Sequence, residues 1–122
     1  MSCRGDEASC TGRDLVRTRV ALLIWCLPAA LVVLGIFWPQ AREALWIPSF
    51  AVMGSACLLN ARRCGRLHCH LTGPLFLLAA LATLLDSLAI VRVPWPWIVF
   101  TSIAGTAIGY GLEHIRGEYV SK

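Results

Sequence analysis

The sequence has 122 residues, of which 57% are hydrophobic and only 15% charged, with a net charge of +4. A soluble domain of this size carries ~25% charged residues, and here the apolar residues collect in uninterrupted blocks. That excludes a separate soluble module at this length. The basic residues lie beside those blocks, which is a juxtamembrane arrangement and not a nucleic-acid-binding face.

Residues 1–19, MSCRGDEASCTGRDLVRTR, mix both charge signs with small polar residues and read as a cytosolic tail. They are too long and too acidic for the n-region of a signal peptide. From Val20 to Trp38 there is no charge, which meets the ~20 apolar residues that a membrane helix needs. Pro28 is expected to kink this first span.

A second span is expected over 44–60, with its helix continuing past Asn60 because seventeen residues fall slightly short of the hydrocarbon thickness. A Cys/His/Arg-rich loop follows over 61–73. A third span covers 74–91, with Pro74 at its first helical position, and a fourth covers 95–112. Residues 113–122 leave as a polar tail, with Glu113 and His114 solvating the helix end.

Short connections make this an all-α integral membrane protein, an antiparallel four-helix transmembrane bundle. Lysine and arginine placement sets its orientation. With a cytosolic N-terminus, that side holds Arg4, Arg13, Arg17, Arg19, Arg62, Arg63, Arg66, Arg116 and Lys122, and the other only Arg42 and Arg92. Both termini therefore belong in the cytosol. Trp38, Trp46, Trp95 and Trp97 fall at the outer span ends, where indoles anchor at headgroups.

Small residues let membrane helices approach closely. Gly105 and Gly109 form a GxxxG pattern in the fourth span; Ala79, Thr83 and Ser87 line the third, and Ala51 and Ser55 the second. The pattern serves either packing within one chain or a homodimer seam through Gly105 and Gly109.

The chemistry concentrates in CLLNARRCGRLHCH, residues 57–70. If the second span stays helical to residue 69, Cys57, Cys64 and His68 fall within ~40° on one face, with Cys69 and His70 at its edge. Thiolates with imidazole suit Hg(II) and Cu(I), and also Zn(II), ahead of oxygen-seeking ions. Neighbouring Arg62, Arg63 and Arg66 favour the thiolate form. The spacing matches no structural zinc pattern, and a turn at Gly65 would undo the shared face.

Cys3 and Cys10 in the tail and Cys26 in the first span are candidate relay thiols. Asp86 is the one acidic residue inside a span. A charge at bilayer depth costs ~2.5–3.5 kcal/mol, so it is expected to face the interior, either handling cations or hydrogen-bonded to nearby Thr, Ser or Arg side chains.

Four spans with cysteines at the membrane resemble the small mercury-resistance membrane proteins of bacteria, which pass Hg(II) between thiols to a cytosolic reductase. The likeness covers size, layout and thiol usage. Those transporters carry a cysteine pair in the first span, where this sequence has Cys26 alone, so no ligand is carried over. The resemblance implies a multi-pass protein of the bacterial inner (plasma) membrane, without enzymatic activity or organic cofactor, delivering a soft metal to a cytosolic accepting protein. Two other readings stay open: a membrane thiol–disulfide oxidoreductase using Cys64 and Cys69, and an accessory membrane subunit without chemistry.

Overall fold

The computed structural model describes residues 19–117, and these are helical apart from short connections. Helix α1 spans Leu22–Phe37, α2 Arg42–Cys64, α3 Leu67–Ser87 and α4 Trp95–Arg116. The tails at 1–18 and 118–122, and with them Cys3 and Cys10, lie outside the described residues.

Pro28 has no N–H for the carbonyl four residues back. The turn ahead of it, Leu22–Cys26, is wound as a π-helix, and the Leu27 N–H reaches back to Leu22 O. Beyond it, Leu27–Phe37 is regular α-helix.

The segment expected as a loop over 61–73 is instead almost entirely helix. α2 runs on to Cys64 and ends on Gly65 in the left-handed region (φ 65°), whose N–H bonds Ala61 O at 2.8 Å. Glycine is the residue that adopts this conformation without a Cβ penalty. Arg66 is extended, and α3 starts at once with Leu67, so Pro74 lies inside α3 and not at its start. The reversal takes two residues.

Successive helices are antiparallel, as the order of their contacts shows. Across α1 and α2, Trp46 Nε1 donates to Val32 O at 2.9 Å and Arg42 Nε to Gly35 O at 3.0 Å. Across α2 and α3, Asn60 meets Cys69, Cys57 meets Thr72, and Phe50 stacks on Phe76. Across α3 and α4, His68 meets Glu113, and Leu75 fills the space beside Gly105. Close backbone approaches run serially, α1 to α2 to α3 to α4, with none between α1 and α4 among the described residues.

The core lies on the α2–α3 seam. On α2, Trp46, Phe50, Met53, Cys57 and Ala61 recur every three or four residues, which places them on one stripe. Cys69, Phe76, Ala79 and Ala80 face them from α3, and Ile98 from α4. The expected α2 stripe of Ala51 and Ser55 is displaced: Ser55 is exposed, and Gly54 takes the seam, where a Cβ would come within 2.8 Å of Leu77. Of the four tryptophans expected at the interface, Trp46 is fully buried, because its indole N–H has a carbonyl partner on α1; Trp38, Trp95 and Trp97 are exposed.

Gly105 and Gly109 are both taken up within the chain. A Cβ at 105 would overlap Leu75, and one at 109 would stand 3.0 Å from His68 Cβ. The outward faces of α1 and α4 are apolar, with Leu22, Phe37, Phe100, Ile103 and Ile115 each more than 60% exposed. Two helices, α2 and α3, are long and apolar enough to cross a membrane, and α1 is a shorter apolar helix. Glycine, tryptophan and hydroxyl residues dilute the hydropathy of α4.

Candidate functional site

The Gly65–Arg66 reversal decides the site. A continuous helix through 57–69 would have stacked Cys57, Cys64 and His68 on one face. Instead Cys57 sits on α2 and His68 and Cys69 on α3, and the antiparallel register brings them together across the seam. Cys57 is 1% exposed and Cys69 0%. Cys57 bonds Thr72, three residues beyond Cys69, and Asn60, three residues beyond Cys57, points at Cys69, so the two thiols face each other across the seam.

Each sulfur has a polar escort. Thr72 Oγ1 donates to His68 O at 2.9 Å, which leaves its lone pairs for the Cys57 thiol at 3.3 Å. Asn60 Nδ2 points at Cys69 Sγ from 3.6 Å. His68 Nε2 lies 3.4 Å from the same sulfur. The Cys69 proton is therefore within reach of His68 Nε2.

His68 is held from three sides. Its Nδ1 lies 2.6 Å from Glu113 Oε1, a contact that assigns the ring proton to Nδ1 and the lone pair to Nε2 in the neutral form. Tyr110 stacks on the ring at 4.3 Å and 19°. Arg66 Nε stands 3.4 Å from the same carboxylate oxygen.

Glu113 also accepts the His68 backbone N–H at 3.1 Å. His68 is in the first turn of α3, whose opening N–H groups lack intrahelical partners, so a carboxylate from α4 caps α3 where its dipole favours negative charge. Only with Gly109 one turn earlier can α4 come this close.

These positions revise several expectations. Glu113 does not solvate a helix end: it is 6% exposed and bonded to His68 and Arg66, whereas His114 is exposed. Cys64 is half-buried at the end of α2, two helical turns and ~10 Å along the axis from Cys57. His70 and Cys26 are exposed. Of the arginines expected beside the thiols, Arg62 and Arg63 are exposed and Arg66 is bound to Glu113.

Asp86 lies one residue before the end of α3, and its Oδ1 accepts the Val93 N–H at 3.2 Å in place of a Thr, Ser or Arg side chain. It serves to shape the α3–α4 loop.

No family model, curated protein or solved structure matches this chain.

Four contributors escaped the sequence: Asn60, Thr72, Tyr110 and the site role of Glu113. A signal existed for Glu113, since Ile98, Ser102, Gly105, Gly109 and Glu113 continue one stripe at helical spacing. Asn60 and Thr72 carry no such mark; their partners are fixed only by the α2–α3 register.

Among the described residues, no group of three or more His, Cys, Asp or Glu side chains is arranged to hold a metal ion. What the arrangement offers is a buried dithiol with an imidazole nitrogen beside one sulfur. Two facing sulfurs suit an ion that accepts two-coordinate thiolate, and the soft d10 ions are of that kind.

Proposed function

We propose that the chain is a four-span protein of the bacterial inner membrane, with both termini cytosolic, that binds or passes a soft thiophilic cation, Hg(II) or Cu(I). The observation that carries this reading is the placement of two buried thiols, Cys57 and Cys69, facing each other across the α2–α3 seam. The exposed apolar faces of α1 and α4 support the membrane assignment, and the excess of arginine at the thiol end supports the orientation. A cytosolic accepting protein would collect the ion at that end.

In this scheme Cys57 and Cys69 are the ligands and His68 stands beside them, fixed by Glu113 as ligand-facing imidazoles commonly are by a carboxylate. Cys64, two turns away, becomes an exchange partner and not a member of the primary set. Cys26 and His70 would meet the ion only in passing.

The test is a titration of the purified full chain with Hg(II) and with Cu(I) under reducing conditions. The tightest site should disappear in Cys57→Ser and in Cys69→Ser taken singly, and survive in Cys64→Ser. Undiminished tight binding in the Cys57→Ser/Cys69→Ser double variant would sink the reading.

The same facing placement supports a second reading, a thiol–disulfide couple of Cys57 with Cys69 in place of Cys64 with Cys69. Peptide mapping of protein trapped from cells decides between them, since a redox couple yields a Cys57–Cys69 cross-link in vivo and a metal site yields two free thiols.

A further inference from the structure

At the end of the helix row opposite the thiols is a cavity of about 320 Å³, walled by Trp46, Ile98 and Thr83 and bounded by Arg42 and Asp86. It is ~27 Å along α3 from His68 and plays no part in the proposed metal chemistry. Its opposite charges are held apart. Arg42 and Asp86 are both half-buried and line one cavity, yet neither forms a salt bridge among the described residues.

Each is anchored by its own contacts. The Arg42 guanidinium lies over the Trp95 ring at 4.7 Å and the Trp46 ring at 5.6 Å, and its Nε is committed to Gly35 O. Its Nη groups have no hydrogen-bond partner among the described residues. Asp86 Oδ1 holds the Val93 N–H, and Oδ2 is likewise unengaged there. Two rim residues, Arg92 and Glu43, repeat the same two signs at the exposed mouth.

A half-buried cation and a half-buried anion gain from contact, so a fold that fixes both without joining them leaves room for a ligand that bridges them. We propose that this cavity binds a small zwitterion, with its oxyanion on the Arg42 Nη groups, its primary ammonium on Asp86 Oδ2, and its carbon skeleton against Trp46 and Ile98. The volume suits a small molecule or a lipid headgroup. Free amino acids, free phosphoethanolamine and the phosphatidylethanolamine headgroup share this chemistry.

The experiment uses the full chain in phosphatidylglycerol nanodiscs, whose headgroup has no ammonium. It is titrated calorimetrically with glycine, with O-phosphoethanolamine and with inorganic phosphate. At least one zwitterion should bind saturably. Asp86→Asn, which keeps an oxygen for the Val93 N–H, should weaken that binding about tenfold, the loss of one charge-assisted hydrogen bond, and leave phosphate affinity unchanged.

Adding phosphatidylethanolamine to the discs then names the source. Competition with the free probe assigns the site to the headgroup, and no competition assigns it to a water-soluble zwitterion. Absence of saturable binding by both zwitterions overturns the proposal, as does an unchanged affinity in Asp86→Asn. Should that variant not fold, the decision passes to Arg92→Gln at the exposed rim, which should lower affinity by a smaller factor; no change there overturns it equally.

Discussion

The two ends of the helix row use similar residues to opposite effect. Each has an arginine, a carboxylate and a pair of aromatic rings: Arg66, Glu113 and the stacked His68–Tyr110 pair at one end, Arg42, Asp86 and the edge-to-face Trp46–Trp95 pair at the other. At the thiol end the charges touch and the interior is closed. At the far end they stand apart around a cavity.

The connections account for the difference. Gly65 and Arg66 alone join α2 to α3, so the helix ends are drawn together and α4 docks onto them through Gly109. At the other end residues 88–94 intervene, and the Val93 N–H holds Asp86 by Oδ1, which fixes the carboxylate away from Arg42 and leaves Oδ2 to the cavity. Whether such a charge pairs or waits thus depends on loop length more than on residue type.

The sharpest way to break this comparison is Glu113→Ala. It leaves the Arg66 charge buried without its carboxylate and removes the cap from α3, and should cost about 3–5 kcal/mol in unfolding experiments in detergent. Glu113→Gln should cost less, because an amide oxygen can still accept from the His68 N–H. If Glu113→Ala were as stable as the parent chain, the closed end would owe nothing to this carboxylate.

Next is Gly105→Leu, which places a side chain where Leu75 already packs. It should destabilise by about 1–3 kcal/mol through overpacking and, by lifting α4, raise the alkylation rates of Cys57 and Cys69. In the parent chain, timed alkylation followed by mass spectrometry should label half-buried Cys64, at the end of α2, well before either fully buried thiol. Simultaneous labelling would contradict the closed interior.

The smallest effect is expected in the loop at the open end. Ala89 has φ 56° and follows a helix end where Ala89 N–H bonds Asp86 O and Ile90 N–H bonds Leu85 O. That is a glycine-type termination occupied by alanine. Ala89→Gly should raise stability by about 0.5–1 kcal/mol, the left-handed penalty relieved less the added chain entropy. A fall in melting temperature would show that the left-handed backbone costs nothing there.

The thiol site was legible only in its ingredients. Cys57, His68 and Cys69 stand out in the sequence as soft donors close together, but the assumption of one continuous helix paired them along an axis. The left-handed Gly65 paired them across a seam, which moved Cys64 and His70 out and brought Thr72 and Asn60 in. A one-residue difference in where the chain reverses would have exposed Cys69, because side chains on a helix rotate by ~100° per residue.

Block hydrophobicity, arginine asymmetry and the glycine spacing of the last helix are local properties, and they determined the all-helical class, the antiparallel order and the capacity of the central helices for a bilayer. The tertiary structure alone decided which polar groups meet. Glu113 reaches the start of α3 from 45 residues away, and Asp86 is occupied by a backbone amide instead of an arginine, because partners at such separations are set by helix register and loop length, which no local pattern encodes.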